Sequence, residues 1–365
     1  MKRILFLARF MYPPLGGGEY FIASCLNHLQ NKGYKCVSAC YYEPSTNMPF
    51  SQENFTTWQN IPVFQFQPKG TQQLRDLYSD IKPDLVITQS YDAPIIVDIA
   101  KEMGIKTILG THFWRNICNT PDHFKKMLTR PKNSLEMLYP LHRVFHTADE
   151  LYVNSEFMQK AVEKFVGVKI DRIIQPMLNE ERVVCQDNFE KKYITLINSD
   201  VGKGGRIFIE IAKQMPNQQF LVVGLGAPII PDNIRINKEL RSIPNVKVLE
   251  KTDDMASIYG QTKMLLIPSL VDETFSMVAL EGMANSLPIL YSPNGNLPYL
   301  IKDAGVVLPE ENINAWVETL KNILEDEEYY SLLCNISKKR ASLFSPQKEL
   351  DSFEEMVRNC IGDPE

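Results

Sequence analysis

One stretch near the end of the chain decides the fold, and it reads PSLVDETFSMVALEGMAN over residues 268–285. The apolar run 264–267 before it predicts a buried strand, and residues 275–285 predict a helix. A helix that begins just after a buried strand points its free N–H groups at the end of that strand, and its dipole adds about half a positive charge there. This strand–loop–helix unit therefore predicts a binding site for a phosphate group.

Two glutamates lie beside this predicted phosphate site. Glu273 is in the loop, and Glu281 follows about two turns further on. Carboxylates do not bind phosphate, but they accept hydrogen bonds from sugar hydroxyls. Two glutamates at this spacing, taken alone, are usually solvated charges on a helix. The strand before them and the apolar strand 287–290 after them favour a functional site, so the combination indicates a sugar–diphosphate ligand.

The Glu-x7-Glu arrangement, followed by GMANSLPIL at 282–290, resembles the retaining GT-B glycosyltransferases, specifically glycosyltransferase family 4 (GT4). The resemblance implies an α/β fold of GT-B architecture, with two Rossmann-like domains whose parallel sheets face each other across a cleft. It implies that Glu273 contacts the donor sugar in catalysis and that Glu281 contacts the ribose hydroxyls. It also implies donor-binding positions directly after Glu273, at Thr274, Phe275, Ser276 and Met277.

The chain has 365 residues, too many for one ordinary core and about right for two domains. Strand and helix patterns alternate in each half, which predicts parallel sheets covered on both faces. The predicted strands are 4–8, 35–41, 63–67, 84–88, 106–109, 151–153, 193–197, 219–223 and 246–250. We interpret residues 1–176 as an N-terminal domain on the acceptor side and 177–345 as a C-terminal domain on the donor side. The helix of about 346–365 is expected to pack back on the first domain.

Three glycines, Gly16 to Gly18, separate the first predicted strand from a predicted helix at 20–31. Glycines at such a place let the backbone approach a ligand closely. They do not give the G-x-G-x-x-G spacing of a dinucleotide site. The resemblance implies that Gly17 and Gly18 face the donor phosphates and the acceptor, and a merely flexible turn is the alternative.

His112 follows the predicted strand 106–109, at the end of the sheet where ligands of α/β proteins collect. A lone histidine is more often structural than catalytic. The resemblance places a histidine of many family members beside the donor sugar at this position, so we expect His112 to be catalytic. Arg115 is a weaker candidate for a contact to the acceptor or a phosphate. Ser155 is expected to cap the helix that carries Met158.

Lys203 and Gly204 stand at the glycine-flanked start of a predicted helix, where a lysine can clamp a diphosphate by its charge. The spacing is not that of a Walker motif. The resemblance implies that Lys203 and Gly204 hold the donor phosphates. Most family members also have an arginine about five residues earlier, where this chain has Asn198. Arg206 is the candidate substitute.

Two further donor-binding positions come from the resemblance. Gly224 ends a strand in a glycine turn near the nucleotide, and Thr252 follows the strand whose end lies beside the base. The segment 294–298, NGNLP, stands where many members have two glycines and then a glutamate. This difference is expected to alter the pocket.

The composition describes a soluble globular protein, with 44% hydrophobic and 23% charged residues. A net charge of -5 argues against nucleic-acid binding. The seven cysteines are scattered and form no CxxC pair, which favours a reducing compartment and hence the cytoplasm. No apolar stretch approaches the ~18 residues that span a bilayer.

Residues 123–146 are basic and amphipathic, and their cations are Lys125, Lys126, Arg130, Lys132 and Arg143. Such a stretch can lie on the anionic inner face of a membrane as a peripheral contact. An ordinary helical insertion with a solvated face is as good an interpretation.

The interpretation that accounts for these features is a retaining glycosyltransferase. It would move a sugar from a nucleotide-diphosphate sugar to a hydroxyl of a glycan, a lipid-linked or a small-molecule acceptor. No metal or other cofactor is expected, because a helix terminus and Lys203 can neutralise the leaving diphosphate and no Asp-x-Asp is placed to hold a metal. The alternative is a non-catalytic nucleotide-sugar-binding or scaffold protein with the same fold. A dehydrogenase is disfavoured by the missing G-x-G-x-x-G.

Overall fold

The structure is a computed structural model that describes residues 1–9, 11–12, 17–41, 55–66, 71–89, 92–112 and 143–364. The chain divides into two compact units. The first unit is Met1–Pro176 together with Pro346–Glu365, and the second unit is Met177–Ser345. The chain therefore leaves the first unit at Pro176 and returns to it at Pro346.

The first unit is built on a sheet of seven strands. They are β1 (Arg3–Ala8), β2 (Lys35–Tyr41), β3 (Phe55–Trp58), β4 (Ile61–Phe66), β5 (Leu85–Thr88), β6 (Lys106–Thr111) and β7 (Glu150–Val153). Their order is β3-β4-β2-β1-β5-β6-β7, and every neighbouring pair is parallel except β3 and β4. The helices are α1 (Gly17–Asn31), α2 (Thr71–Ile81), α3 (Ala93–Glu102), α4 (Val144–Thr147), α5 (Glu156–Val166) and the last helix of the chain, α14 (Pro346–Ile361).

Two features of this unit differ from the sequence expectation. The hairpin of β3 and β4 was not predicted, because its two-residue turn is Gln59-Asn60, with φ of 52° and 61°, and lacks a glycine. Helix α1 begins at Gly17 rather than at residue 20. Ser155 caps α5 as expected, because its hydroxyl accepts a hydrogen bond from the N–H of Met158 at 3.1 Å.

The last helix, α14, packs on the first unit through both its apolar face and its polar contacts. Phe353 is completely buried and meets Phe21 edge-on at 6.3 Å between ring centroids. Arg172 donates to the carbonyl of Ser352 at 3.0 Å. The carboxylate of Glu349 accepts from the N–H of Gln175 at 2.8 Å. These contacts attach the returning chain to the segment that leaves the unit.

The second unit is built on a parallel sheet of six strands. They are β8 (Tyr193–Ile197), β9 (Gln219–Val223), β10 (Val246–Leu249), β11 (Thr262–Ile267), β12 (Ile289–Tyr291) and β13 (Gly305–Val307), in the order β10-β9-β8-β11-β12-β13. Its helices are α6 (Glu180–Val183), α7 (Gly205–Gln214), α8 (Pro231–Leu240), α9 (Met255–Gln261), α10 (Met277–Ala284), α11 (Leu297–Ile301), α12 (Ile313–Glu325) and α13 (Glu327–Ala341).

Hydrophobic cores cover both faces of this second sheet. Met264 and Leu266 of β11 point into the core formed with α7, α8 and α12, whereas Leu265 and Ile267 point into the core formed with α9, α10 and α11. This alternation explains why β11 appears in the sequence as a continuous apolar run.

The strand order places β8 and β11 side by side in the middle of the second sheet. From β8 the chain adds strands in one direction, through β9 and β10, and from β11 in the other, through β12 and β13. The strand order therefore reverses between β8 and β11, and ligands of such sheets bind at the carboxyl ends of the strands at this point. The loops that follow β8 and β11 are the ones that carry Lys203 and Glu273.

Among the described residues, no helix is both long and apolar enough to cross a membrane. Arg115 lies outside the described residues. So does the predicted basic segment 123–146, except for its residues from 143 onward.

Candidate functional site

Glu273 and Lys203 form an ion pair at the carboxyl end of the second sheet. The Nζ atom of Lys203 lies 2.6 Å from Oε1 of Glu273, and the hydroxyl of Ser269 donates to the same oxygen at 2.6 Å. The side chain of Glu273 is 11% exposed and that of Lys203 is 35% exposed. The structure thus brings together the predicted phosphate-binding lysine and the predicted sugar-binding glutamate.

The loop after β8 holds Lys203 in place through a network of short polar contacts. The amide of Asn233 accepts from the N–H of Val201 at 2.8 Å and donates to Asp200 at 2.7 Å. Gly204, at φ 84°, lies against the loop after β11, and a Cβ atom there would be 2.0 Å from the carbonyl oxygen of Pro268. Only glycine fits such an approach, so Gly204 sets the spacing between the two loops.

Asn198, which replaces the arginine of most family members, has a turn-forming role. Its backbone has φ of 68°, which asparagine tolerates better than most residues. Its side-chain oxygen accepts from the N–H of Asp200 at 3.0 Å. The candidate substitute Arg206 forms an ion pair with Asp232 at 2.9 Å on the surface. In this structure the guanidinium of Arg206 is therefore paired with Asp232, and its role as the second phosphate cation stays a prediction.

The segment 294–298, which differs from the family pattern, fixes the backbone of Glu273. Gly295 pairs with Glu273 in a parallel bridge, and a Cβ at Gly295 would lie 2.3 Å from the carbonyl oxygen of Glu273. The N–H of Asn296 donates to that carbonyl at 2.7 Å. The amide of Asn294 donates to the carbonyl of Ser269 at 2.6 Å. The sequence indicated that this segment alters the pocket, but nothing in the chain order showed that its residues lie beside Glu273.

Glu281 lies on α10, and its carboxylate accepts a hydrogen bond from a tyrosine of the neighbouring helix α9. The hydroxyl of Tyr259 donates to Oε2 of Glu281 at 2.6 Å. Burial raises the pKa of Glu281, and the Tyr259 hydrogen bond and the charge of Arg182 act in the opposite direction. Tyr259 itself is completely buried.

The predicted positions between Glu273 and Glu281 have different surroundings. Ser276 has φ of 86°, so α10 begins at Met277 and not at Phe275 as expected. The side chain of Phe275 is 3% exposed and packs on Phe344, so this position could meet a donor only through its backbone, and its predicted role stays a prediction. Thr274, Ser276 and Met277 are partly buried.

Two other predicted positions lie at strand ends of the same unit. Gly224 follows β9 with φ of 78° and has open space where a Cβ would be. The hydroxyl of Thr252 accepts from the N–H of Asp254 at 3.1 Å, at the start of α9. The predicted roles of Gly224 and Thr252 at the nucleotide stay predictions.

His112 lies in the first unit, just after β6, in an aromatic cluster. Its ring is 5.0 Å from Phe21 and 5.5 Å from Tyr152 between centroids. Gln89 donates to the Tyr152 hydroxyl at 2.6 Å, and that hydroxyl lies 3.3 Å from Nε2 of His112. Burial lowers the pKa of His112 to about 3. The ring is therefore neutral near pH 7. It can form hydrogen bonds, but it is not an imidazolium that could act as a general acid.

A glycine makes this cluster possible. A Cβ atom at Gly110 would lie 2.5 Å from the ring and hydroxyl of Tyr152. Gln89 and Tyr152 were missed from sequence because they are far from His112 in the chain. The predicted residues Gly17 and Gly18 are the first two of α1, so their N–H groups lack helical acceptors.

The carboxyl end of the first sheet carries an ion pair that the sequence did not indicate. Arg9 follows β1 and Asp92 precedes α3, and their charged groups are 3.8 Å apart. Both side chains are mostly buried, at 17% and 7% exposure. Because β1 and β5 are the strands between which the order reverses, this pair occupies the first unit's counterpart of the Lys203–Glu273 position.

The second unit thus combines the parts that a diphosphate-linked sugar requires. Lys203 and the starts of α7 and α10 supply positive charge for phosphates. Glu273 and Glu281 supply hydrogen-bond acceptors for the hydroxyl groups of such a ligand.

Two family models match this chain in different halves. The model described as "Glycosyltransferase Family 4" matches residues 15–175. The model described as "Glycosyl transferases group 1" matches residues 194–326. Together they include His112 in the first unit and Lys203, Glu273 and Glu281 in the second.

Curated relatives are similar to this chain over a limited part. The D-inositol 3-phosphate glycosyltransferase of Mycolicibacterium smegmatis is 25% identical over 169 residues, which is 44% of this chain and 38% of that protein. The protein of the same name from Corynebacterium kroppenstedtii is 26% identical over 166 residues, 43% of this chain and 37% of its own. The match thus spans less than two fifths of the length of these relatives.

Solved structures are similar over nearly the whole chain. Sucrose-phosphate synthase from Thermosynechococcus elongatus has a TM-score of 0.77 at 16% identity, covering 98% of this chain and 99% of its own. Anabaena HepE in complex with UDP-glucose has a TM-score of 0.79 at 15% identity, covering 98% of this chain and 100% of its own. At these identities the similarity establishes the fold.

Proposed function

Because this chain belongs to the group 1 glycosyltransferases of the family 4 type and has the GT-B fold, we propose that it is a glycosyltransferase. It takes a sugar from a nucleotide-diphosphate sugar and transfers it to an acceptor hydroxyl. The observation that carries the proposal is the contact between Lys203 and Glu273 at the reversal point of the second sheet.

The donor exchanges contacts with this ion pair. Its diphosphate takes the charge of Lys203 and lies against the starts of α7 and α10, which stabilises the negative charge that develops as the sugar departs. Glu273, already held by Ser269, accepts from the sugar hydroxyls. In this proposal the lysine and the helix termini take the part that a metal ion plays elsewhere, and the reaction needs no cofactor.

The alternative is a non-catalytic protein that binds a nucleotide sugar. Asn198 in place of arginine and the altered segment 294–298 favour it, because both change the surroundings of the donor phosphates. The retained contacts of Lys203 and Glu273, and the support that Asn294 and Asn296 give to that loop, favour an enzyme. Release of nucleoside diphosphate from the donor discriminates between the two.

A thermal-shift panel tests donor binding, since a ligand that binds the folded state raises the unfolding temperature. The panel contains the UDP, GDP, ADP and TDP sugars. UDP-glucose is measured first, because it is the ligand of the similar HepE structure. We expect at least one donor to raise the midpoint by several degrees. No shift with any of them, at millimolar concentration, would contradict the proposal.

We expect transfer with retention of the donor's anomeric configuration. A double displacement needs a free carboxylate under the anomeric carbon, but in this proposal Glu273, still held by Ser269, accepts from the sugar hydroxyls instead. The leaving phosphate would guide the incoming hydroxyl to the same face, with no covalent glycosyl–enzyme intermediate. Proton NMR of the first product formed reports its anomeric proton, and an inverted configuration would rule out this assignment.

On the acceptor side, we propose that the first unit binds the acceptor, with neutral His112 as a hydrogen-bonding group near the reacting sugar. The acceptor is a glycan, a lipid-linked sugar or a small molecule. The six described cysteines, Cys25, Cys36, Cys40, Cys185, Cys334 and Cys360, are free thiols, which supports a cytoplasmic location as part of this proposal.

We further propose that the basic stretch 123–146 contacts anionic lipid. Binding to vesicles that contain anionic lipid should be present at low salt and should weaken as ionic strength rises, because screening shortens the range of the attraction. Replacing Lys125, Lys126, Arg130 and Lys132 by glutamine should remove it. Equal binding to neutral vesicles would contradict a specific contact with anionic lipid, and no binding at low salt would leave this stretch as a solvated face or an acceptor-recognition insertion.

A further inference from the structure

A group of polar side chains in the first unit joins α1 to α14. His28 is in the last turn of α1, and Asp351 and Glu354 are three residues apart on α14. Oε2 of Glu354 lies 2.8 Å from Nε2 of His28, and Oδ1 of Asp351 lies 4.0 Å from the same nitrogen. We refer to these three residues as the α1–α14 cluster. Two carboxylates thus converge on one imidazole nitrogen.

One imidazole nitrogen cannot satisfy both carboxylates by hydrogen bonding. Nε2 carries at most one hydrogen, and its 4.0 Å separation from Asp351 is too long for a hydrogen bond. A cation in front of Nε2 would contact the imidazole and both carboxylates at once. The ligand atoms of the α1–α14 cluster all lie within 4.8 Å of one another. Neighbouring ligands of a tetrahedral zinc site are about 3.3 Å apart, so side-chain shifts on the order of 1 Å would close the site.

The surroundings of the α1–α14 cluster suit a metal ion. The side chains of His28 and Glu354 are 11% and 17% exposed, whereas that of Asp351 is 58% exposed and leaves one side open to water. The amide of Gln347 donates to Oδ1 of Asp351 at 2.6 Å, and such outer contacts orient the ligands of a metal. Three protein ligands with an open position suit Zn²⁺, and an imidazole ligand favours a transition metal over Mg²⁺ or Ca²⁺.

A lysine occupies part of the space that a metal ion would take. Nζ of Lys32 lies 3.0 Å from Oε2 of Glu354. Lys32 follows the last residue of α1, and its side chain is 47% exposed, so it can move into solvent when a divalent cation binds. The ammonium group of Lys32 and a metal ion therefore compete for the carboxylate of Glu354.

We propose that His28, Asp351 and Glu354 bind a divalent transition-metal ion, for which Zn²⁺ is the best fit, and that the bound ion fastens α14 to α1. Because the ligands come from both helices, binding of the ion requires α14 to be packed on the first unit. The ion therefore stabilises the attachment of the returning chain.

The place of the α1–α14 cluster in the fold indicates a structural ion. Strands β1 and β2 are parallel, so α1 runs back from the carboxyl end of β1 toward the amino end of β2, and His28 is near its last residue. The hydroxyl of Tyr34, just before β2, donates at 2.9 Å to the carbonyl of Gly362, just after α14. The cluster thus lies toward the amino edge of the sheet, whereas ligands of parallel sheets bind at the carboxyl edge.

The experiment measures the binding of Zn²⁺ to the full chain by calorimetry, with the unfolding temperature as a second readout. The variants are His28→Ala, Asp351→Asn and Lys32→Gln. His146→Ala is the matched control, because His146 is an exposed histidine on α4 of the same unit. Co²⁺ is then used in place of Zn²⁺ for absorption spectra, since thiolate ligands give an intense charge-transfer band and imidazole and carboxylate ligands do not.

For the wild type we expect an unfolding temperature that rises with the concentration of Zn²⁺, and a Co²⁺ spectrum without the thiolate band. His28→Ala and Asp351→Asn should each weaken binding by roughly tenfold or more, since even the outer contacts of a metal site are worth about 10- to 100-fold in affinity. Lys32→Gln should tighten binding by about two- to fivefold, the effect of one exposed ion pair. His146→Ala should match the wild type.

Three results would overturn this inference. The first is a zinc affinity that is the same in the wild type and in Asp351→Asn, a variant at an exposed position that keeps the test valid if His28→Ala does not fold. The second is a Co²⁺ spectrum with the thiolate band, unchanged in Asp351→Asn, which would place the ion at cysteines. The third is weaker zinc binding in Lys32→Gln, which would show that the α1–α14 cluster is a network of ion pairs only.

Discussion

Replacing Glu273 by glutamine is expected to lower the rate of sugar transfer by about 10²- to 10³-fold, the usual loss when one preorganised electrostatic contact is removed from a reaction centre. Glutamine keeps the size of the side chain and can still accept one hydrogen bond, so the fold should be unchanged. It cannot hold the negative charge that pairs with Lys203 at 2.6 Å. It also binds the sugar hydroxyls more weakly as an acceptor.

The nucleotide half of the donor should respond in the opposite way. In the free protein Lys203 is paired with Glu273, and it must exchange this partner for the diphosphate. Without the carboxylate no exchange is needed, so nucleoside diphosphate should bind as tightly as in the wild type or more tightly. Turnover and calorimetry on the same preparation measure both effects.

A matched control comes from the surface of the same unit. Glu318 is exposed on α12, and Glu318→Gln should change neither quantity. Wild-type turnover in a folded Glu273→Gln variant would remove Glu273 from the reaction. Equal loss of nucleotide affinity and turnover would show that it supports the loop and does not act on the sugar.

Replacing Lys203 by alanine is expected to weaken nucleotide-sugar binding by about ten- to a hundredfold. A hydrogen bond to a charged group contributes about 1.5–3 kcal/mol, which corresponds to this range. The loop should keep its shape, because its conformation depends on Asn233, Asp200 and Gly204 rather than on the lysine side chain. The partner left behind, Glu273, retains its hydrogen bond from Ser269.

Calorimetry with a nucleoside diphosphate at two salt concentrations measures this effect. The wild-type affinity should fall with salt more steeply than that of Lys203→Ala, because the variant lacks the cation that is screened. Lys213→Ala is the control, since Lys213 is on the outer side of α7 and pairs with Glu210 and Glu239. An unchanged affinity in Lys203→Ala would place the diphosphate elsewhere.

The parallel sheets could be predicted from the sequence because buried strands carry their own signal. Runs such as 4–8 and 264–267 are apolar on both faces, which only a strand covered on both sides requires. The hairpin of β3 and β4 could not be predicted, since the two turn residues have a left-handed backbone conformation and neither is a glycine. The start of α10 was misplaced for a related reason, because the left-handed residue that delays it is Ser276.

The candidate site was predictable in its residues but not in its contacts. Lys203 and Glu273 stand out as a lysine at a glycine-flanked helix start and a glutamate after a buried strand, each a local pattern. That they meet depends on β8 and β11 being neighbours, which the chain order does not show. Tyr259 was missed altogether, because an aromatic residue on a short helix looks like core until its hydroxyl is seen to reach Glu281.

A crystal structure of the protein with the nucleotide sugar that shifts its unfolding temperature tests the central claim most directly. We expect the diphosphate within hydrogen-bond distance of Nζ of Lys203 and of the backbone at the starts of α7 and α10. Glu273 should have exchanged the lysine for a sugar hydroxyl, and Glu281 should accept from the ribose with its bond from Tyr259 intact. A nucleotide bound away from Lys203, with the Lys203–Glu273 pair unbroken, would contradict this account.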